Sequence, residues 1–201
     1  MNIIIKEIIL ILLAYYIGSF SFARIITKIF RNLNICKVGD LTADATNVYR
    51  NVSKTLGIVV WILDFLRIYI SLWFVWLVFL KNEPELLILV GFSMIVGHCF
   101  PIMHRFVGSR GVVAYIALLF FFAPYATLIV GIACLVILIF FRQIRFIQYM
   151  MVIMVPVVYY ILRKIETPML FSHEVNVKYL LLASIIMGIL NFFVSKRYGE
   201  I

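Results

Sequence analysis

The stretch GHCFPIMHRFVGSRG, residues 97–111, is the place where flexible, polar and basic residues together interrupt long apolar runs. Pro101 stops the apolar segment before it, and residues 108–111 form a turn just ahead of the next apolar run. A helix that starts after this turn points unpaired backbone N–H groups at it, glycines let a phosphate approach closely, and Arg110 adds a fork of donors. The stretch therefore predicts an anion site. A plain membrane loop with a glycine turn and positive-inside arginines explains the same residues.

The composition sets the protein class. Of the 201 residues, 65% are hydrophobic and 13% are charged, and the mean hydropathy is +1.12. Several apolar runs are long enough to cross a bilayer, so we predict an all-α, polytopic integral membrane protein with a single membrane domain, residues 1–201, in the cell membrane. The net charge of +9 is explained by basic cytoplasmic loops, so no nucleic-acid partner is expected. The cysteines Cys36, Cys99 and Cys134 lack metal-ligand or disulfide spacing, and neither a metal nor a cofactor is predicted.

The apolar runs predict seven transmembrane helices, of which the fourth is short. The first helix is expected to end near Ile26. A run from residue 112 to residue 141 is far longer than a hydrocarbon core of about 30 Å, so we break it at Pro124. The predicted spans are residues 3–22, 56–80, 86–100, 112–123, 125–141, 146–162 and 177–194.

Charge counting predicts the orientation of these spans. With the first long loop inside, most Lys and Arg residues lie on the cytoplasmic side, and a six-helix alternative without the break at Pro124 fits only slightly less well. Both arrangements put the polar segment 27–54 and the stretch 97–111 on the same cytoplasmic face. Asp64 and Arg67 lie three residues apart inside the second span, which predicts a pair on one helix face. Such a pair is either an inert buried pair or part of a polar site, and charges at membrane depth favour the polar site.

Four segments, in order and at similar spacing, resemble a known family over nearly the whole chain. They are residues 18–22 (GSFSF), residues 45–48 with Arg50 (ATNV and R), residues 64–67 (DFLR), and the run from Gly97 to Pro101 that continues to Phe106, Gly108, Arg110, Gly111 and Val112. The chain resembles the bacterial membrane glycerol-3-phosphate acyltransferase family known as PlsY. The resemblance implies seven membrane helices, a cytoplasmic-side active site, and acyl transfer from acyl phosphate to glycerol 3-phosphate. The expected partners are these two substrates and membrane lipids.

The resemblance also implies a set of site residues. The predicted catalytic residues are His98, which would donate or accept a hydrogen bond at the reacting end, and Asn47. Arg110 and the backbone of residues 108–111 are expected to hold one phosphate, and Arg50 with Asn47 the second polar substrate. The predicted substrate-binding residues are Ser19, Thr46, Arg50, Asp64, Arg67, Gly108, Ser109, Arg110 and Gly111.

The chain departs from the family pattern at several positions, most of all in the loop of residues 39–47. Where the family reads Gly-Ser-Gly-Asn-x-Gly-Ala-Thr-Asn, residues 39–47 read GDLTADATN, and the family's Phe-Lys-Gly-Gly-Lys-Gly becomes FVGSRG at residues 106–111. Asp40 brings a negative charge toward a phosphate site, which opposes anion binding. Leu41 and Asp44 replace glycines, and both are expected to adopt positive φ angles with strain.

Two other functions remain open at this stage. The altered loop is compatible with a catalytically impaired family member that binds an anionic lipid or acts as a regulator. The intramembrane pair of Asp64 and Arg67 is compatible with a small transporter, although the two halves of the chain show no inverted repeat.

Overall fold

The computed structural model describes residues 3–141, 144–165 and 175–197, and within these ranges it contains nine α-helices and no β-strand. Six helical segments have the length and composition to cross a membrane, the first of them covering α1 and α2 together, and α6 is a shorter apolar helix. The predicted all-α, multi-pass membrane fold is confirmed. The helices are α1 (Ile3–Gly18), α2 (Phe22–Arg31), α3 (Ala45–Asn51), α4 (Lys54–Val78), α5 (Pro84–Cys99), α6 (Val112–Phe122), α7 (Pro124–Phe141), α8 (Ile144–Lys164) and α9 (Val177–Arg197).

The predicted break in the long apolar run lies at Pro124. Helix α6 ends at Phe122, and Pro124 is the first residue of α7. Proline has no backbone N–H and a fixed φ, so it fits the first turn of a helix and cannot continue the one before it. With 11 residues, α6 is about 16 Å long, and it corresponds to the short fourth helix that the sequence predicts.

The first helix does not continue to Ile26, and this prediction is wrong. Helix α1 ends at Gly18, and α2 starts at Phe22 after the N-cap residue Ser21, whose side chain accepts a hydrogen bond from Arg24 N at 3.5 Å. The guanidinium of Arg67 in α4 donates hydrogen bonds to the backbone carbonyls of Gly18 and Phe20. These donors satisfy carbonyls that a continuous helix would have bonded internally, so the break is stable.

The polar segment between the first two spans is largely structured. It contains the end of α2, a 3-10 turn at Ile35–Lys37, and the short helix α3. Its apolar side chains form a small core of their own, separate from the main core of the membrane helices. The residues of this small core are Ala23, Ile35, Ala43, Ala45, Val48 and Val60. The polar segment of residues 27–54, called the folded cap below, is therefore a structured unit that packs on α2 and α4.

Helices α1 and α5 pack at very short range, and glycines make this possible. A Cβ atom on Gly18 would overlap the backbone of Met94, and one on Gly97 would overlap the carbonyl oxygen of Tyr15. Ser93 Oγ donates to Ile11 O at 2.8 Å across the same interface. Small residues and hydroxyl donors at such contacts let two membrane helices approach closely. This contact positions His98, the residue after Gly97.

We predict that Gly97→Ala destabilises the protein, because the added methyl group meets backbone atoms of α1 that have no room to move. The expected loss is about 1 to 3 kcal/mol in the free energy of unfolding. Gly188→Ala is the matched control, since nothing lies within 4 Å of a Cβ at that position in α9. Thermal unfolding in detergent measures both. Equal stability of the two variants would contradict the close packing of α1 on α5.

The span count also predicts the sides of the termini. With seven crossings and the basic loops inside, a tag fused at Met1 lies outside the cell and a tag fused at Ile201 lies inside. Accessibility of each tag to a protease in intact spheroplasts checks this. Both tags on the same side would exclude the seven-helix arrangement.

Candidate active site

A small cavity lies where the folded cap meets α4, α5, α6 and α8. It brings together six of the residues predicted for the site, namely Thr46, Asp64, His98, Ser109, Arg110 and Gly111. These residues come from four separate segments of the chain. Asp44, Ala45, Val112, Val113 and Gln148 complete the lining.

Two hydrogen bonds and one glycine conformation fix the turn of residues 108–111. Ser109 N donates to His98 O at 3.1 Å, and Gly111 N donates to Ser109 Oγ at 3.0 Å. Gly111 has a φ of +74°, a left-handed conformation that glycine adopts without strain. It is the N-cap of α6 and has no side chain that could accept hydrogen bonds from the first turn, and Gly111, Val112 and Val113 at this helix start line the cavity.

Arg110 is buried between two carboxylates. Its Nη1 lies 3.1 Å from Asp44 Oδ2, its Nη2 lies 3.4 Å from Asp40 Oδ2, and only 6% of the residue is exposed. Asp40 Oδ2 also lies 4.0 Å from Arg50 Nη1. The guanidinium of Arg110 therefore lies at the site, and two acidic side chains contact it.

The loop of residues 39–47 corrects one expectation and confirms another. Leu41 has a φ of +59°, the positive angle predicted for a residue that replaces glycine. Asp44 has a φ of −128°, so the prediction of strain at this position is wrong. Asp44 is instead the N-cap of α3, where its Oδ1 accepts a hydrogen bond from Asn47 N at 2.8 Å. Aspartate is among the preferred N-cap residues, and its second oxygen remains available to Arg110.

Asp64, Arg67 and His98 form a connected set, of which Asp64 and His98 line the cavity. Arg67 Nη2 lies 3.3 Å from Asp64 Oδ1, which confirms the predicted pair. The same nitrogen lies 3.0 Å from His98 Nδ1, and His98 Nε2 lies 3.9 Å from Asp64 Oδ2. A guanidinium can only donate, so His98 Nδ1 accepts from Arg67 and the ring proton of a neutral His98 is on Nε2. Arg67 also bonds the broken end of α1 and does not line the cavity, so its contacts make it a positioning residue.

Asn47, which the resemblance predicts to be catalytic, makes hydrogen bonds to the loop through both polar atoms of its side chain. The residue is fully buried, and its Nδ2 lies within 3.3 Å of the carbonyl oxygens of Ile35, Val38 and Thr42. Its Oδ1 accepts hydrogen bonds from Asp40 N at 3.1 Å and Asn51 Nδ2 at 2.8 Å. Both polar atoms are thus committed to the loop. Asn47 fixes the backbone that carries Asp40 and Asp44.

Three further predicted binding residues do not line the cavity. Ser19 is buried in the α1 break, and its Oγ donates to Tyr15 O at 2.9 Å. Gly108 accepts a hydrogen bond from Ala43 N at 2.9 Å, which ties the turn to the folded cap. Arg50 is exposed on α3, and its ion-pair partner among the described residues is Asp40.

Gln148 is a cavity residue that the sequence analysis missed. Its Nε2 donates to Thr46 Oγ1 at 3.2 Å, although the two residues are 102 positions apart. The available signal was an isolated amide in the otherwise apolar span of α8. Gln148 also lines a second space, an apolar groove of about 450 Å³ between α4, α6, α7 and α8. The groove shares Thr46, Val112, Val113 and Gln148 with the polar cavity, so the two spaces adjoin.

The amino-acid sequence is similar to those of known proteins. The family described as glycerol-3-phosphate acyltransferase matches residues 8–197. The chain is 34% identical over 115 residues to a glycerol-3-phosphate acyltransferase of Pelagibacter ubique, with 57% of this chain and 58% of that protein covered. It is 32% identical over 153 residues to the one of Albidiferax ferrireducens, with 74% and 67% covered. In the Pelagibacter ubique alignment the chain thus spans less than two thirds of its relative's length.

The fold is similar to that of a solved structure. A crystal structure of PlsY, an integral membrane glycerol 3-phosphate acyltransferase in its glycerol 3-phosphate form, superposes with a TM-score of 0.77 at 24% identity, covering 97% of this chain and 90% of that one. The lysophosphatidic acid form of PlsY gives a TM-score of 0.75 at 22% identity. These likenesses concern the fold. Because the family match extends over nearly the whole sequence, this chain belongs to the glycerol-3-phosphate acyltransferase family.

Proposed function

We propose that this protein transfers an acyl group from acyl phosphate to glycerol 3-phosphate and so makes lysophosphatidate for phospholipid synthesis, at the cytoplasmic side of the membrane. In this reaction the glycerol hydroxyl oxygen bonds to the acyl carbon, the bond from that carbon to the phosphate oxygen breaks, and inorganic phosphate leaves with the hydroxyl proton. Family membership supports the reaction class. The named crystal structures, in glycerol 3-phosphate and lysophosphatidic acid forms, support the acceptor and the product.

The observation that carries the proposal is the contact between the polar cavity and the apolar groove. A reaction that joins an acyl chain to a phosphate-bearing alcohol needs an apolar space and an anion site that meet at the reacting bond. Here the two spaces share Thr46, Val112, Val113 and Gln148. The volume of the groove, about 450 Å³, is in the range of ordinary ligand pockets. The acyl chain occupies the groove, and the reacting carbonyl lies at the shared residues.

The chemistry asks little of the protein, because acyl phosphate is already activated. Proximity and charge neutralisation supply most of the rate. Arg110 and the first N–H groups of α6 bind a phosphate, and the Nε2 proton of His98 is a hydrogen-bond donor for an oxygen at the reacting end. Asp64 and Arg67 hold His98 in this tautomer. Asp40 and Asp44 occupy Arg110 in the resting site, so the phosphate must take their place at the guanidinium.

The direct test is product formation by the purified protein in detergent or nanodiscs. With acyl phosphate and glycerol 3-phosphate we expect lysophosphatidate and inorganic phosphate in equal amounts, and no product when glycerol replaces glycerol 3-phosphate. Binding of glycerol 3-phosphate without any turnover would overturn the proposal in favour of a regulatory protein. Uptake into proteoliposomes without product would indicate a transporter.

In the same assay we expect Arg110→Ala to lose about 1.5 to 3 kcal/mol of transition-state stabilisation, since a charge-assisted contact to phosphate is removed. This corresponds to a decrease of roughly tenfold to 150-fold in kcat/KM. Arg110→Lys keeps the charge and should restore most of the activity. Arg105→Ala is the control, because Arg105 is exposed in the same connection and does not line the cavity. Full activity of a folded Arg110→Ala protein would exclude Arg110 as the phosphate ligand.

Replacing the carboxylates around Arg110 should improve the use of the phosphate substrate, in contrast to the loss expected for Arg110→Ala. Asp40→Asn together with Asp44→Asn should lower the KM for the phosphate substrate by about tenfold, because the phosphate then competes with neutral amides for the guanidinium. Asparagine is as good an N-cap as aspartate, so α3 keeps its cap. The stability of the folded variant is followed by thermal unfolding. An unchanged or higher KM in a stable variant would show that the carboxylates do not compete with substrate.

A further inference from the structure

A second groove lies between α2 and the 3-10 turn Ile102–His104, outside the cavity described above. Its volume is about 530 Å³, and it shares no lining residue with either the polar cavity or the apolar groove. One part of its wall is apolar, with Ile25, Ile29, Leu33 and Met103. The other part carries the basic side chains of Arg24 and Lys28. No acidic residue is among the described residues that line it.

The exposure pattern of α2 is that expected for a helix at the surface of the bilayer. The helix follows directly on α1, a membrane span without a charged residue in its last turns. It is amphipathic: Ala23 and Thr27 are buried against the protein, whereas Ile29 is 69% exposed and Phe30 is 62% exposed. Large exposed apolar side chains next to basic ones are typical of a helix at the membrane interface, where the former enter the acyl region and the latter face headgroups.

The two cations of the groove are not neutralised by the protein. Arg24 and Lys28 lie four residues apart and therefore on the same helix face. Lys28 Nζ donates to the amide oxygen of Asn32 at 2.9 Å, and Arg24 Nη2 donates to the backbone carbonyl of Val107. Both partners are uncharged, and no carboxylate in the described part of the chain lies within ion-pair distance of either residue. In addition, Arg24 Nε is buried without a hydrogen-bond partner among the described residues.

We propose that the groove between α2 and the Ile102–His104 turn binds an anionic phospholipid of the surrounding membrane. The phosphate lies between Arg24 and Lys28, and an acyl chain lies along Ile25, Ile29 and Met103. Charge complementarity selects an anionic headgroup, and the apolar wall selects a lipid over a water-soluble phosphate. Lipid binding in this groove does not depend on acyl transfer, so a negative result for one proposal does not count against the other.

Native mass spectrometry of the protein, released from nanodiscs that contain phosphatidylcholine and phosphatidylglycerol, tests this site. The wild type should retain phosphatidylglycerol in preference to phosphatidylcholine. Arg24→Gln with Lys28→Gln should lower this retention by about tenfold, since two charges near the headgroup are lost. Lys81→Gln with Lys178→Gln, two exposed lysines outside the groove, makes the same change in net charge and should retain the lipid.

Three results would overturn the proposal. They are equal loss of lipid in the control variant, no preference for phosphatidylglycerol in the wild type, and displacement of the lipid by millimolar inorganic phosphate, which would indicate a site for a soluble anion. If the double variant fails to fold because Arg24 also bonds Val107, Lys28→Gln alone decides, because Lys28 is exposed and its only hydrogen bond described here is to a neighbouring residue of its own segment.

Discussion

The ion pairs of Arg110 with Asp44 and Asp40 are the interaction on which the site depends. Asp44 and Asp40 lie 66 and 70 positions before Arg110 in the sequence. Together with the hydrogen bond from Ala43 N to Gly108 O, these ion pairs connect the folded cap to the start of α6. Removing one partner of a buried pair leaves an uncompensated charge, which is far more costly than never having buried the pair. In the proposed reaction the substrate phosphate takes the place of these carboxylates at the guanidinium of Arg110, so this side chain would serve both the fold and the ligand.

A second set of polar contacts holds the membrane part of the site together. Arg67 bonds the carbonyls at the end of α1, pairs with Asp64 and fixes the tautomer of His98. Charged groups at this depth are tolerated because each has partners within the protein. The close approach of α1 and α5 at Gly97 delivers His98 to this set. The position of one imidazole thus depends on three helices.

The sequence predicts those features that depend on neighbouring residues. Pro124 separates α6 from α7, and Gly111 is the N-cap of α6, because a proline ring and a glycine φ act on their own stretch of backbone. Asp64 and Arg67 form a pair because a helix turn brings residues three positions apart onto one face. The break after Gly18 was missed because its carbonyls are bonded by Arg67, 49 residues away.

Long-range contacts explain most of what the sequence does not show. Asn47 matches the family pattern, yet only the folded loop shows that its amide holds three carbonyls, and Gln148 reaches Thr46 across 102 positions. The expectation of strain at Asp44 failed because an aspartate in extended conformation makes a good N-cap. Motif matching found residues near the cavity, and the structure shows which of them line it.

The most direct test of this account is an experimental structure of the protein with glycerol 3-phosphate bound. The account predicts a phosphate oxygen within hydrogen-bond distance of the Arg110 guanidinium, at about 2.7 to 2.9 Å, with the side chain of Asp40 moved away from it. A phosphate bound elsewhere, with both carboxylates still on Arg110 as in the empty site, would contradict the central claim that this arginine exchanges its carboxylate partners for substrate.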